Sequence, residues 1–267
     1  MQSVFGDLME EKRCVIYMDD ILVVGSSEEE FLYNLEIILD RCAKKGLSIN
    51  FEKCFLGFEE VEFLGYTISG AGKQIAPGRI SSIENLRTPS SKRDVKCLLG
   101  MVNFVRSFIP ACSSVCEPLS RLTAKDSDFV WGKEQDEAFE RLKRLLKTAP
   151  TLAFPSEDAH LSLFTDASDV GVGAVLSQTK DSKIQVLAFL SKTLSDVQRR
   201  WSVIEKECWA IVFAMLKLEP LLKGRKFDLF TDHKNLTFIQ RSPNAKISRW
   251  WLRVSEFSFD IRHVKGV

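Results

Sequence analysis

Two adjacent carboxylates, Asp19 and Asp20, stand between two short apolar runs, Cys14–Tyr17 and Ile21–Val24. Both runs are rich in β-branched and aromatic residues, so the chain is expected to turn back on itself between them as a β-hairpin with the carboxylates at the bend. No other feature constrains the fold as much. Like charges side by side repel, and buried strands tolerate them only beside a positive partner or at a solvated turn. A divalent cation with phosphate oxygens is one such partner. A water-facing Asp-Asp turn is the other reading, and the pair alone leaves both open.

The flanking segments extend the pattern. A helix is expected before the hairpin. Gly25-Ser26-Ser27 breaks the second strand, and Glu28-Glu29-Glu30 suits the first turn of a helix whose apolar positions are Phe31, Leu35, Ile38, Leu39 and Cys42. Gly46 ends it, and Leu47–Phe51 and Val61–Ile68 read as further strands. A turn-rich interval, Ser69–Gly78, marks one boundary. Beyond it Ser91 caps a helix carrying Val95, Leu98, Leu99, Val102 and Val105, closed by Pro110, and a second helix spans about Glu134–Lys147. A second boundary lies at Pro155–Asp158. Strands at Leu161–Thr165, Gly173–Ser177 and Val186–Leu190, a long helix at Val203–Leu218 and a strand at Phe227–Thr231 follow. The fold class is α/β (α+β), with no internal repeat or low-complexity tract.

Composition excludes some classes. No run approaches the roughly 18 apolar residues that span a bilayer, and Met1–Lys12 lacks the basic start and apolar core of a secretory signal, so an intracellular protein with no membrane partner is expected. The seven cysteines are scattered and read as reduced, mostly buried thiols; Cys112 and Cys116, the one close pair, read as neighbours on a helix face rather than as a zinc site. Net charge is only +1 but unevenly spread. Residues 1–75 carry 7 basic and 14 acidic side chains, residues 86–125 carry 7 and 2, and residues 196–267 carry 14 and 8. Such an alternation suits cations along a phosphate track and carboxylates at a metal site, or simply a mixture of solvated faces. His233 and His263 read as surface or hydrogen-bonded histidines, and Trp250-Trp251 as a core contact in preference to a nucleic-acid stacking platform.

Cys14–Val24, with Tyr17-Met18-Asp19-Asp20 at its centre, resembles the palm hairpin of reverse transcriptases, in which two aspartates are catalytic. Lys53-Cys54-Phe55-Leu56 matches the next family step in part, its aromatic arriving one place early. Val61 with Phe63-Leu64-Gly65-Tyr66 is similar to the family's primer-gripping segment. Leu98-Leu99-Gly100, Asn103-Phe104, Arg106, Phe108-Ile109-Pro110, Pro118-Leu119, Phe129, Trp131, Ala138-Phe139, Leu142-Lys143 and Ala149-Pro150 follow in the order seen in Gypsy-type LTR retrotransposons. Thr165-Asp166-Ala167-Ser168, Gly171 and Gly173–Gln178 resemble the first strands of an RNase H domain. Glu205-Lys206-Glu207 opens its long helix and Thr231–Leu236 ends a strand.

The resemblance covers the whole chain and implies a division into the C-terminal part of a palm (1–75), a helical thumb and connection (76–157), and an RNase H-like mixed sheet with helices (158–267). It implies catalytic and metal-holding roles for Asp19 and Asp20 and, separately, for Asp166, Glu207 and Asp232, with Mg²⁺ or Mn²⁺ as cofactor. Glu205 competes with Glu207, which is preferred because it directly precedes the apolar Cys208–Ile211. The implied partners are primer–template nucleic acid, RNA–DNA hybrid and, for the intact enzyme, deoxynucleoside triphosphates. The family's third polymerase aspartate lies upstream of the hairpin, and a final nuclease aspartate lies beyond its His-x-x-Gly stretch, here followed by the chain end at Gly266-Val267. Polymerisation is therefore expected to be negligible and nuclease activity weak, the alternative being an inactive remnant that only binds nucleic acid or a partner protein.

Overall fold

A computed structural model of the chain describes residues 1–125, 128–233 and 244–264. Lys234, Asn235 and Leu236 of the strand-end motif, and Gly266-Val267, lie outside the described residues. The chain divides into two compact units, Met1–Phe63 and Leu64–Val267. Among the described residues no helix is long and apolar enough to cross a membrane.

The first unit contains α1 (Gln2–Glu10), β1 (Cys14–Tyr17), β2 (Asp20–Val23), α2 (Glu28–Lys44) and β3 (Glu60–Phe63). β1 and β2 pair antiparallel, with Tyr17 opposite Asp20, so the expected hairpin has a two-residue loop, Met18-Asp19. Ser27 caps α2 by accepting from the Glu30 amide, and the three glutamates occupy the positive end of the helix dipole. Asn34 is fully buried on α2, which the apolar periodicity does not suggest. It is satisfied on both sides, accepting from Arg13 at 2.8 Å and donating to the Val24 carbonyl at 2.8 Å. It thereby ties α2 to the hairpin while Phe5, Leu8, Cys14, Ile38 and Cys42 form the core beneath.

Two sequence expectations need correction here. Leu47–Phe51 is not a strand: the segment is irregular and runs into a 3₁₀ turn at Phe51–Lys53, where the Asn50 side chain accepts from the Glu52 amide. Asn50 offers the backbone a local partner that competes with a strand ladder. The Val61–Ile68 run is interrupted at Leu64-Gly65, whose φ angles of 53° and 77° are those of a tight I′-type turn.

The second unit opens with the hairpin of β4 (Tyr66–Ser69) and β5 (Gly72–Ile75), followed by α3 (Pro77–Glu84), α4 (Lys92–Val105), α5 (Cys112–Arg121) and α6 (Lys133–Lys147). Ser91 caps α4 through the Asp94 amide, as its position implies. These helices enclose a core that includes Leu98, Val102, Phe108, Leu119, Leu142 and Leu146. Cys112 and Cys116 face each other within it, sulfurs 3.9 Å apart.

The rest is β6 (His160–Ala167), β7 (Gly171–Lys180), β8 (Lys183–Thr193), α7 (Asp196–Arg199), α8 (Val203–Lys217), α9 (Glu219–Leu222), β9 (Lys226–Thr231), α10 (Ala245–Val254) and β10 (Ser258–His263). The strands form one mixed sheet in the order β10-β9-β6-β7-β8; β6, β7 and β8 are antiparallel in sequence, and β9 is parallel to both β6 and β10. Alternate residues of β6 and β9, Leu161, Leu163, Phe227 and Leu229, pack under Cys208, Ile211 and Met215 of α8. That burial fixes strand register, because a slip of one residue would turn every apolar side chain to the wrong face. The helical part abuts the sheet at β8: Arg106 donates to the Ser191 carbonyl at 2.7 Å, and the Ser113 amide to the Ser191 hydroxyl at 2.9 Å.

Candidate metal centre

The parallel pairing of β6 with β9 builds the site. Phe164 and Phe230 are register partners with rings stacked at 4.5 Å. Asp166 lies two residues further along β6, and Asp232 directly follows the end of β9. The carboxyl ends of two parallel neighbours thus present their carboxylates side by side, as sites in open sheets usually do. α8 crosses β6 and β7 and brings Glu207 from its second turn. Oxygens of Asp166, Glu207 and Asp232 all lie within 4.8 Å of one another.

The electrostatics of the cluster are unbalanced. Glu207 is buried, and burial first, then Asp232 and Asp166, push its carboxyl up to about 8. Asp166 is also raised, by burial and by Asp232. The Oε2 of Glu207 is buried with no hydrogen-bond partner among the described residues. A buried orphan of this kind is rare in a folded protein unless something else is meant to satisfy it. Three hard oxygen donors, mutually repelling and one of them unsatisfied, suit a divalent cation such as Mg²⁺.

Glu205 is engaged elsewhere. Its carboxylate accepts from the Ser202 amide at 2.9 Å and hydroxyl at 3.0 Å, a capping box at the start of α8, and pairs with Lys246 at 3.2 Å. The geometry therefore gives Glu205 to the helix end and leaves Glu207 to the cluster.

Asp19 and Asp20 sit at the tip of the β1–β2 hairpin, both exposed, Asp19 in the loop and Asp20 opposite Tyr17. Met18 beside them has a left-handed φ of 52° and an exposed side chain, a conformation that costs a non-glycine residue free energy and that recurs at functional sites. Among the described residues no third His, Cys, Asp or Glu joins this pair in a ligand group. Phe63 ends β3, and Leu64-Gly65 form the tight turn. Tyr66 begins β4 and packs inward: its hydroxyl donates to the Phe104 carbonyl at 2.9 Å, and its ring stacks on Phe104 and Phe108 at 4.8 and 5.7 Å. Arg79 lies on the Phe104 ring at 4.0 Å.

Sequence reasoning missed several partners. The Nε2 of His263 lies 2.9 Å from the Asp232 carbonyl, because β10 pairs beside β9 with His263 opposite Thr231. His160 and Arg262 both contact the buried Asp228, each at 3.0 Å. Trp251 packs on Phe259 of β10, whereas Trp250 joins Trp201, Trp209 and Lys246 in a cluster at the start of α8. No local spacing signals the contacts of His263, His160 and Lys246, since each joins elements far apart in sequence.

Residues 1–68 match the family described as reverse transcriptase (RNA-dependent DNA polymerase), and residues 131–229 the RNase H-like domain found in reverse transcriptase. The Pol polyprotein of transposon 297 from Drosophila melanogaster is 33% identical over 269 residues, covering all of this chain and 25% of the relative. The Tf2-3 transposon polyprotein of Schizosaccharomyces pombe is 34% identical over 273 residues, covering all of this chain and 20% of its own length. The chain thus spans a quarter or less of these two relatives. A foamy viral protease–reverse transcriptase solved with double-stranded DNA shares the fold, with a TM-score of 0.84 at 22% identity over 99% of this chain and 48% of that one. The same viral protein solved with an RNA/DNA hybrid gives 0.82 at 21% identity over 99% of this chain and 38% of that one. The chain belongs to the reverse transcriptase and RNase H family of Gypsy-type LTR retrotransposon polyproteins.

Proposed function

We propose that Asp166, Glu207 and Asp232 form the centre of a ribonuclease H that hydrolyses the RNA strand of an RNA–DNA hybrid. The observation that carries this reading is the convergence of three carboxylates from a strand, a helix and a strand end, with one buried oxygen unsatisfied. These residues would hold Mg²⁺ or Mn²⁺, which supplies an activated water and stabilises charge on the leaving oxygen. The chain's own contribution is position and charge. Asp166 and Asp232, on exposed strand ends, face the solvent from which a strand arrives. Glu207, kept from water by α8, fixes the depth of the centre. Hydrolysis adds water oxygen to phosphorus and breaks a P–O bond to the sugar, leaving a hydroxyl and a phosphate monoester.

In this reading residues 1–75 are palm, 76–157 thumb and connection, and 158–267 the nuclease, with Asp19 and Asp20 holding the polymerase cation of an intracellular enzyme. Phe63, Leu64, Gly65 and Tyr66 then serve the primer strand, with primer–template and deoxynucleoside triphosphates as the polymerase's partners. The test is cleavage of a labelled hybrid by the purified chain in Mg²⁺ or Mn²⁺. Asp166→Asn is expected to lower the rate by at least ~10²-fold, since carboxylates in such centres act as a unit. Absence of cleavage by the unaltered chain with either cation would overturn the nuclease reading.

A further inference from the structure

Lys206 is an anomaly. It lies in the first turns of α8, where the helix dipole disfavours a cation, and it is buried, its side chain 7% exposed. A buried ammonium persists only when paired. Among the described residues its Nζ has one partner, the Asp169 carboxylate at 2.7 Å, which is itself 95% exposed.

Asp169 is the tip of the β6–β7 turn, and that turn is internally locked. The Ser168 hydroxyl accepts from the amides of Val170 at 3.3 Å and Gly171 at 3.1 Å, and the Ser168 amide donates to the Gly171 carbonyl at 2.8 Å. Asp169 is thus held on a stiff loop three residues after Asp166. Lys206 directly precedes Glu207. The ion pair therefore spans the two elements that carry two of the three clustered carboxylates.

Those carboxylates repel one another, and the repulsion acts to drive the start of α8 away from the end of β6. We infer that the Asp169–Lys206 pair is a clamp that opposes this separation, and that both are positioning residues which preorganise the centre for a divalent cation. The inference rests on the metal-centre reading above. An ion pair with one exposed member adds little to overall stability, so its effect belongs in the geometry of the centre.

The test uses the full chain and Mn²⁺ alone. Binding by isothermal titration is compared for the unaltered chain, Asp169→Asn, Lys206→Met and the double variant, with melting curves for each. Loss of an outer partner hydrogen-bonded to a ligand typically weakens metal affinity about 10- to 100-fold, and the clamp, which acts through the backbone of the two elements, is assigned the lower end of that range. Each single variant is expected to bind Mn²⁺ at least ~10-fold more weakly, and the double variant no more weakly than the worse single one. In hybrid cleavage the Mg²⁺ concentration for half-maximal rate should rise by the same factor, with the rate at saturating Mg²⁺ nearly unchanged. Asp169→Asn alters an exposed side chain and keeps the test valid should Lys206→Met fail to fold. Unchanged Mn²⁺ affinity in Asp169→Asn, with binding by the unaltered chain lost in Asp166→Asn, would overturn the clamp alone. No Mn²⁺ binding by the unaltered chain would overturn the clamp together with the metal-centre reading.

Discussion

Glu207→Gln is expected to raise the melting temperature of the metal-free chain at pH 8 to 9 by about 10 °C or more while abolishing its response to Mg²⁺ or Mn²⁺. In the folded chain the Glu207 carboxyl sits at about 8, well above the 4.5 of an unperturbed glutamate. Below pH 4.5 it is protonated in both states and contributes nothing to the pH dependence. Between 4.5 and about 8 the unfolded chain gives up this proton and the folded chain keeps it, so stability falls as pH rises, at 1.36 kcal/mol per pH unit. The loss approaches a ceiling of about 5 kcal/mol by pH 8 and then levels off. Asp166 is raised as well and acts with the same sign. Gln at position 207 removes the titration and gives its neighbours a donor in place of a third negative charge. At roughly 2–4 °C per kcal/mol for a unit of this size, the variant should gain on the order of 10–20 °C at pH 9 and little at pH 4. Melting curves from pH 4 to 9, with and without cation, check it. A wild-type melting temperature that rises with pH across this window, or a variant that still gains stability from Mn²⁺, would sink the argument.

The same residue shows how far sequence reaches. Its helix was legible as the long run Val203–Leu218, while the capping box of Ser202 and Glu205 that starts it emerged only from the structure. The centres of β6, β7, β8 and β9 were equally legible, whereas β5, inside the interval read as turn-rich, and β10 were not expected as strands. What no local pattern contains is the parallel pairing of β6 with β9, which crosses more than sixty residues and brings Asp166 beside Asp232. The family resemblance supplied that link, and physical spacing did not. Asn50 overturned an expected strand because a side chain can satisfy the backbone locally. Lys206 and Asp169 were invisible as partners for the opposite reason: each looks like an ordinary surface charge until the fold buries one of them.

A second large effect is expected far from the metal centre, at Gly72. Leu152 forms a bridge with Lys73, whose amide donates to the Leu152 carbonyl at 2.8 Å and whose carbonyl accepts from the Leu152 amide at 2.9 Å. The next residue, Ala153, donates to the Val186 carbonyl of β8 at 2.8 Å. The strand-like segment 152–153 therefore joins the β4–β5 hairpin to the five-stranded sheet, and Gly72 lies against it. Its φ is 135°, a region open essentially to glycine alone, and a Cβ there would collide with the Leu152 carbonyl oxygen. Backbone strain of about 1–3 kcal/mol and overpacking of about 1–3 kcal/mol add, because neither the backbone nor the carbonyl can give way without breaking the bridge. Gly72→Ala should thus cost on the order of 3 kcal/mol or more and lower the melting temperature by roughly 6–12 °C. Gly70→Ala, two residues away with open space around it, should change stability by less than about 0.5 kcal/mol. Hydrogen exchange locates the damage: the amides of Lys73 and Leu152 should lose protection in Gly72→Ala while those of β6 and β9 keep theirs. Below its lowered transition the variant should still bind Mn²⁺ at Asp166, Glu207 and Asp232, since none of these residues touches the bridge. Equal melting temperatures for the two glycine variants would show that the bridge is not what joins the hairpin to the sheet.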